Sequence, residues 1–374
     1  MNTPVAVRTL STDEHLAFLA ERESAGFLQT PGWAAVKREW RAESLGWIAD
    51  GRVVGAALVL YRQLPRLRRY LAYLPEGPVL DWETDDLGAW LRPMADHLRG
   101  QGAFGVRIGP PVVVRRWSAA QVKEGIADDA VRRLDDLPPT QRDRVGATVV
   151  SQLRELGWRP QAAEGGFAAG QPQYNFWVPL ADRTEDEVLA GMNQLWRRNI
   201  KKAAKAGVEV SLGGAADLPA FHDLYAHTAE RDHFTPRPLS YFETMFAELG
   251  APGAATQIRL YLARHEGDLV AATIWIRVGR HAWYSYGASS TVKREVRGSN
   301  AVQWQMIRDA MAAGAEVYDL RGITDTLDAD DPHLGLIQFK VGTGGEAVEY
   351  AGEWDLPLNR ALYAAFALYM ARRG

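Results

Sequence analysis

The chain has 374 residues, 47% of them apolar and 24% charged, with no cysteine and a net charge of −3. That composition belongs to a globular protein with ample material for a core; it excludes a disordered chain, a collagen-like repeat, a disulfide scaffold, a thiol nucleophile and a thiolate metal site. At roughly 150 residues per domain, the length points to two domains.

The start, Met1 to Arg8, is too polar for a signal peptide, and no apolar run reaches the ~20 residues that cross a bilayer, so a cytoplasmic protein is expected. Phe27-Leu28-Gln29-Thr30-Pro31-Gly32-Trp33 leads up to a single cation, Lys37. Trp47 to Leu58 reads as strand, Asp50-Gly51 turn, strand. Arg62, Arg66, Arg68 and Arg69, with Tyr61 and Tyr70, form a basic cluster. Leu87, Trp90, Leu91, Met94 and Leu98 have helical spacing; the pattern stops at Gly100 to Gly102 and gives way to a strand, Ala103 to Ile108. A Gly/Ala/Gln-rich stretch, Gly165 to Gln173, precedes the strand Tyr174 to Val178 and marks the expected domain boundary.

Further on, Arg197, Arg198, Lys201, Lys202 and Lys205 follow Trp196 and place five cations on about two and a half helical turns. Arg237 and Tyr241 lie four apart and can face one ligand if the segment beyond Pro238 is helical. Leu262 to Thr273 is a second strand, turn, strand, with Glu266-Gly267 at its bend. Ser299 is expected to cap a helix carrying Val302, Met306, Ile307 and Ala310, which stops at Gly314 before the strand Ala315 to Leu320. The acidic loop Asp325 to Asp331 lacks the glycine and glutamate of a calcium loop and reads as a solvated loop. No histidines have metal-ligand spacing, so no metal is expected. Phe339-Lys340 sets another single cation beside an aromatic. Gly342-Thr343-Gly344-Gly345 suits a phosphate-binding turn or a plain tight turn. Arg360 to Arg373 is an apolar-faced helix with a basic end, expected to pack back on the protein, with a peripheral membrane contact as its alternative.

The two hairpins carry turn glycines 216 positions apart, and Gly102 and Gly314, where each helix yields to a strand, are 212 apart. Two separated features at nearly one spacing indicate two copies of one α/β unit: hairpin, strand, helix, strand. That layout is the core of the GNAT acyltransferases. A single-domain GNAT enzyme holds the pyrophosphate of coenzyme A at a helix start, here Arg294 to Asn300. The usual R-x-x-G-x-G/A spacing is missing there, so no cofactor is expected, although the helix start can still attract an anion. Two basic clusters in a slightly acidic chain indicate a phosphate-rich partner such as RNA or a nucleotide; the alternative is a solvated helix face.

These residues also carry a pattern that resembles the Fem (FemABX) family of aminoacyl-tRNA-dependent peptidyltransferases, nearest to the short FemX/VanK-type members of actinobacteria. The segments concerned are Gln29 to Trp33, Leu71-Ala72-Tyr73-Leu74-Pro75-Glu76-Gly77-Pro78, Asn193-Gln194-Leu195-Trp196-Arg197-Arg198-Asn199-Ile200, Tyr284-Ser285-Tyr286-Gly287-Ala288-Ser289 and Phe339-Lys340. The resemblance implies two tandem GNAT-like domains, without the coiled-coil insertion of some relatives. Their expected extents are residues 1–168, joined by 352–374, and 169–351. It implies transfer of an amino acid, glycine first, from aminoacyl-tRNA to an amine of the peptidoglycan stem peptide, as UDP-MurNAc-pentapeptide or lipid II. Lys37, Arg237 and Tyr241 match positions that contact the precursor's diphosphate side, Tyr286 lies near the same cleft, and Phe339 and Lys340 match the reaction centre. Arg197, Arg198, Lys201, Lys202 and Lys205 are expected to touch tRNA. Where some relatives have an aspartate after a strand of the first domain, this chain has Ile108-Gly109-Pro110. The protein is expected to act as a monomer. Two other functions fit less well: a tRNA-dependent ligase acting on a small peptide metabolite, and a non-catalytic RNA-binding protein.

Overall fold

A computed structural model describes residues 5–161 and 170–371. The expected boundary, Gly165 to Gln173, falls largely outside those residues, as do Arg372 and Arg373 of the basic end. The chain forms two compact units, one of residues 1–116, 141–173 and 349–374, the other of 117–140 and 174–348. Relative to the extents drawn from sequence, the segment 117–140 falls with the second unit.

In the first unit the sheet runs in the order Ala6–Thr9, Arg41–Ala49, Arg52–Gln63, Tyr70–Leu74, Ala103–Ile108, Trp354–Pro357, Arg159–Pro160. Asp50 and Gly51 both take positive φ, 49° and 76°, the backbone that lets a two-residue loop match the twist of the strands it joins. Tyr70–Leu74 and Ala103–Ile108 are parallel, which requires a crossover; the helix Gly88–Gly100 supplies it and buries Leu91, Met94 and Leu98. Trp47 and Trp354 fill the core beneath.

The second unit repeats this plan. Its strands run Glu209–Gly213, Thr256–His265, Asp268–Val278, His281–Ser289, Val317–Ile323, Tyr174–Pro179, Glu346–Tyr350. Glu266 and Gly267 make the same positive-φ turn, at 51° and 86°. The parallel strands His281–Ser289 and Val317–Ile323 are joined through the helix Gly298–Ala312, which buries Val302, Met306, Ile307 and Ala310. Even the irregularities recur: the first strand of each hairpin carries a register shift, at Trp47/Ile48 and at Ala263/Arg264, again 216 positions apart. A bulge is a specific insertion in a ladder, so its recurrence at the spacing of the turns marks a duplicated unit.

The structure decides between the two readings of Gly342 to Gly345. A Cβ on Gly342 would lie 2.1 Å from the Trp196 side chain, one on Gly344 2.0 Å from the Gly191 carbonyl oxygen, and one on Gly345 1.9 Å from that of Trp177. The N–H groups of Gly342, Thr343 and Gly344 already donate to the carbonyls of Gln338, Lys340 and Val341, so they are not free to cradle a phosphate and this is a tight turn. Gly344 also sits at φ 75°. Gly344→Ala should therefore cost about 3 kcal/mol or more of stability, from backbone strain together with a clash against rigid main chain. A thermal melt of the variant within a degree or two of the parent would contradict this packing.

Candidate active site

The second unit contains a cavity of about 410 Å³ at the start of the helix Gly298–Ala312. Its wall includes Lys293, Arg294, Arg297, Gly298, Ser299 and Asn300, with Trp196, Asn199, Gln338 and Phe339 opposite. The expected cap by Ser299 does not form. The helix begins at Gly298, one residue earlier, with Arg297 as N-cap at φ 63°, and no side chain accepts from the first turn. Ser299 is inside that turn, so its hydroxyl cannot reach forward as an N-cap does. The first amides are thus left to whatever enters the cavity, and the helix dipole makes this end attractive to anions. Gly298 is needed because a Cβ would stand 2.7 Å from Val270 Cγ2. Lys293 shares its charge with Glu266 and Asp268, 2.9 Å from each, whereas Arg294 and Arg297 have no ion pair among the described residues.

Beside this cavity runs the helix Gln194–Lys205. Asn193 caps it, its Oδ1 accepting from the Trp196 N–H at 2.9 Å. Trp196 is buried, its indole N–H donates to the Phe339 carbonyl at 2.8 Å, and the two rings lie 4.8 Å apart. Trp196, Asn199 and Ala203 make the buried face. Arg198, Lys201, Lys202 and Lys205 line the exposed one, with no carboxylate partner among the described residues. Arg197 is partly engaged, donating to the Ala190 carbonyl at 2.6 Å.

Phe339 and Lys340 share the helix Leu334–Val341 but face different ways. Phe339 lines the cavity, while Lys340 is only 3% exposed. Its Nζ donates to the carbonyls of Gly322, at 2.6 Å, and Arg321, at 3.2 Å, leaving the third N–H of the ammonium form for another acceptor. Burial pulls the amine down to about 7, against the partial support of nearby Asp319. Arg321 takes φ 63° within an irregular stretch of the strand Val317–Ile323. Its N–H donates to Asp319 Oδ1 at 2.6 Å, Trp177 Nε1 donates to Oδ2 at 3.1 Å, and His281 Nε2 lies 3.2 Å from Oδ2. A strained residue flanked by a buried carboxylate and a buried lysine is the kind of local cost that active sites carry.

The arginine–tyrosine pair comes together as its spacing implies. Pro238 precedes the helix Leu239–Leu249, the Arg237 guanidinium carbon lies 5.5 Å from the Tyr241 ring centre, and the Tyr241 and Tyr286 hydroxyls are 3.0 Å apart. Both tyrosines lean on the buried ring of Phe242.

In the first unit Lys37 ends the short helix Gly32–Val36, its Nζ 5.9 Å from the Trp40 ring centre and 3.4 Å from Glu39 Oε1. Gln29, by contrast, is structural: fully buried, it donates to the Pro75 carbonyl at 2.7 Å and accepts from the Leu58 N–H at 3.0 Å. A Cβ on Gly77 would lie 2.3 Å from the Gln29 side chain, so two of the matching sequence segments are one packed joint.

Sequence reasoning missed Glu353. It accepts from the Tyr73 hydroxyl at 2.5 Å and from the Gln171 N–H at 3.2 Å, and burial raises its carboxyl above the usual range despite Arg107 close by. Its Cγ stands 3.5 Å from where a Cβ of Gly109 would be. A carboxyl from just before the strand Trp354–Pro357 therefore lies next to the Ile108-Gly109-Pro110 stretch. The available signal was Glu353-Trp354-Asp355: two acids flanking a buried tryptophan on a strand, hence on its opposite face.

The protein consists of tandem GNAT-like units, the second with an uncapped helix start and a buried cation. The FemAB family model matches residues 10–263 and 262–370, and the chain belongs to that family. It is similar to the lipid II:glycine glycyltransferase of Staphylococcus epidermidis, 23% identical with 95% of this chain and 93% of the relative covered. The fold is shared with the crystal structure of FemX, at a TM-score of 0.79 and 23% identity over 96% of this chain and 99% of that one. A tandem GNAT protein from the clavulanic acid biosynthesis pathway shares it more loosely, at a TM-score of 0.54 and 12% identity over 95% and 98% of the two chains. Among the described residues no helix is long and apolar enough to cross a membrane.

Proposed function

We propose that this chain transfers an amino acid, glycine first, from aminoacyl-tRNA to an amine of the peptidoglycan stem peptide. The observation that carries the reading is the cavity at the open start of Gly298–Ala312, bordered by Arg294 and Arg297 and adjoining the cationic face of Gln194–Lys205. Backbone amides, two arginines and a row of free cations suit a polyanion whose reactive end enters a pocket. An aminoacyl ester brings its own activation. The acceptor nitrogen attacks the ester carbonyl, the carbon–oxygen bond to the ribose breaks, and the amine's proton ends on the departing ribose oxygen. In between, the carbonyl oxygen carries negative charge, and protonated Lys340, on the helix that presents Phe339 to the cavity but not itself part of its lining, is assigned to steady it with its third N–H. Following the family resemblance, Lys37 is assigned to the acceptor's phosphates, and so, independently, are Arg237 and Tyr241, whose hydroxyl meets that of Tyr286. Glycine is favoured because relatives with near full-length coverage are named glycyltransferases.

The test offers tRNAs charged with glycine, alanine or serine against the nucleotide-linked and the lipid-linked acceptor, and weighs the product. A mass gain of one glycine is expected; no gain with any combination sinks the reading. Lys37→Ala and Arg237→Ala should each raise the acceptor KM roughly ten- to a hundredfold, the worth of a hydrogen bond to a charged group, while tRNA binding stays unchanged.

A further inference from the structure

The helix Arg360–Ala371 has no charged residue after Arg360. Its inward residues, Leu362, Phe366 and Met370, pack with Leu64, Leu71 and Phe104. Its outward residues, Ala361, Ala364, Ala365 and Leu368, follow the i, i+3, i+4, i+7 spacing of one face, and every one is apolar, with Leu368 55% exposed. A helix that faces only water carries charged or polar residues on that side. This one does not.

Next to it lies the turn joining Arg52–Gln63 to Tyr70–Leu74, anchored by Leu64 in the same apolar cluster as Phe366. Pro65, Arg66, Leu67, Arg68 and Arg69 are all exposed, with Leu67 at 49%. Arg66, Arg68 and Arg69 have no carboxylate partner among the described residues. Arginines alternating with exposed leucine, beside an apolar helix face, match the boundary of an anionic bilayer: the cations meet headgroup phosphates and the apolar groups enter the acyl edge. Nucleic acid would use the arginines but would leave Leu67, Leu368 and the alanine stripe without a function.

Lys37 lies near this region by way of Arg62 and Trp40. The Arg62 guanidinium carbon sits 5.7 Å from the Phe366 ring centre and 5.8 Å from that of Trp40, the ring beside which Lys37 lies. An acceptor whose diphosphate is esterified to a membrane lipid presents that diphosphate at the bilayer surface, where a neighbouring docking face would deliver Lys37. We infer that the turn Leu64 to Tyr70 and the outward face of Arg360–Ala371 form a docking face for an anionic bilayer. The docking face stands on its own residues, while its link to a lipid-linked acceptor rests on the assignment of Lys37 to that acceptor.

The full chain is sedimented with vesicles of phosphatidylcholine alone and of phosphatidylcholine mixed with phosphatidylglycerol. Binding is expected only to the mixed vesicles. It should fall roughly a hundredfold in the triple variant Arg66→Gln, Arg68→Gln, Arg69→Gln, and at least tenfold in Leu67→Asp with Leu368→Asp. Both variants are exposed on the surface and should melt like the parent. Turnover on the lipid-linked acceptor in mixed vesicles should fall with binding, while turnover on the soluble nucleotide-linked acceptor stays level. Equal sedimentation of parent and variants, no sedimentation of the parent, or loss of tRNA binding in place of vesicle binding each overturns the inference. Vesicle binding without transfer to any acceptor would instead refute the proposed function and leave the docking face standing.

Discussion

Lys340→Met should lower turnover by two to three orders of magnitude with little change in either substrate's affinity. That is the size of effect seen when one preorganised donor to a developing oxyanion is removed, about 2.7–4 kcal/mol. The pH profile sharpens the test. Burial holds the Lys340 amine near 7, so its charged fraction declines as pH rises through that value. The acceptor amine attacks in its neutral form, whose fraction grows with pH. The parent should therefore show a bell, and the variant should keep only the rising limb. Stability gives an independent sign. Between about 7 and the ordinary lysine value of 10.5, the unfolded chain holds a proton that the folded chain has shed. The group's contribution to stability thus increases with pH across that interval, and Lys340→Met should flatten the slope there. Turnover within a few-fold of the parent, in a variant that melts normally, would dismiss the assignment.

Substituting Arg198, Lys201, Lys202 and Lys205 together by glutamine should reduce the slope of log affinity for tRNA against log salt by about three. Each phosphate contact contributes roughly 0.7 to 0.9 to that slope through released counterions. All four side chains point outward and lack carboxylate partners among the described residues, so the helix itself should persist, held by Trp196, Asn199 and Ala203. The acceptor KM should not move. A variant with an unaltered salt slope would make this helix an ordinary solvated face.

Much of the fold was legible because it rests on local rules. Asp50-Gly51 and Glu266-Gly267 name their own turns, and Gly102 and Gly314 end their helices at positive φ. Repetition then did what a single pattern cannot, tying distant segments into one plan. The site was legible less evenly. Arg237 and Tyr241 meet across a helix start, a relation fixed by spacing alone. The surroundings of Lys340 were not, since its acceptors are main-chain carbonyls on a strand some twenty residues upstream and no side chain announces them. The helix start at Arg294 to Asn300 was legible as an anion site, but the cavity around it was not, because Phe339, Trp196 and the Gly298 amides come from three stretches of chain that only tertiary packing unites. Ser299 misled because a good capping residue near a helix start is a propensity, which the positive φ of Arg297 overrode.

The helix that opens at Gly298 with no side chain over its first amides has a consequence for how donors are chosen. Main-chain N–H groups and arginines register charge and say nothing about nucleobase identity. If the proposed function holds, isoacceptors with different sequences should exchange freely at this mouth, and discrimination would fall to the space around the aminoacyl group rather than to the nucleobases.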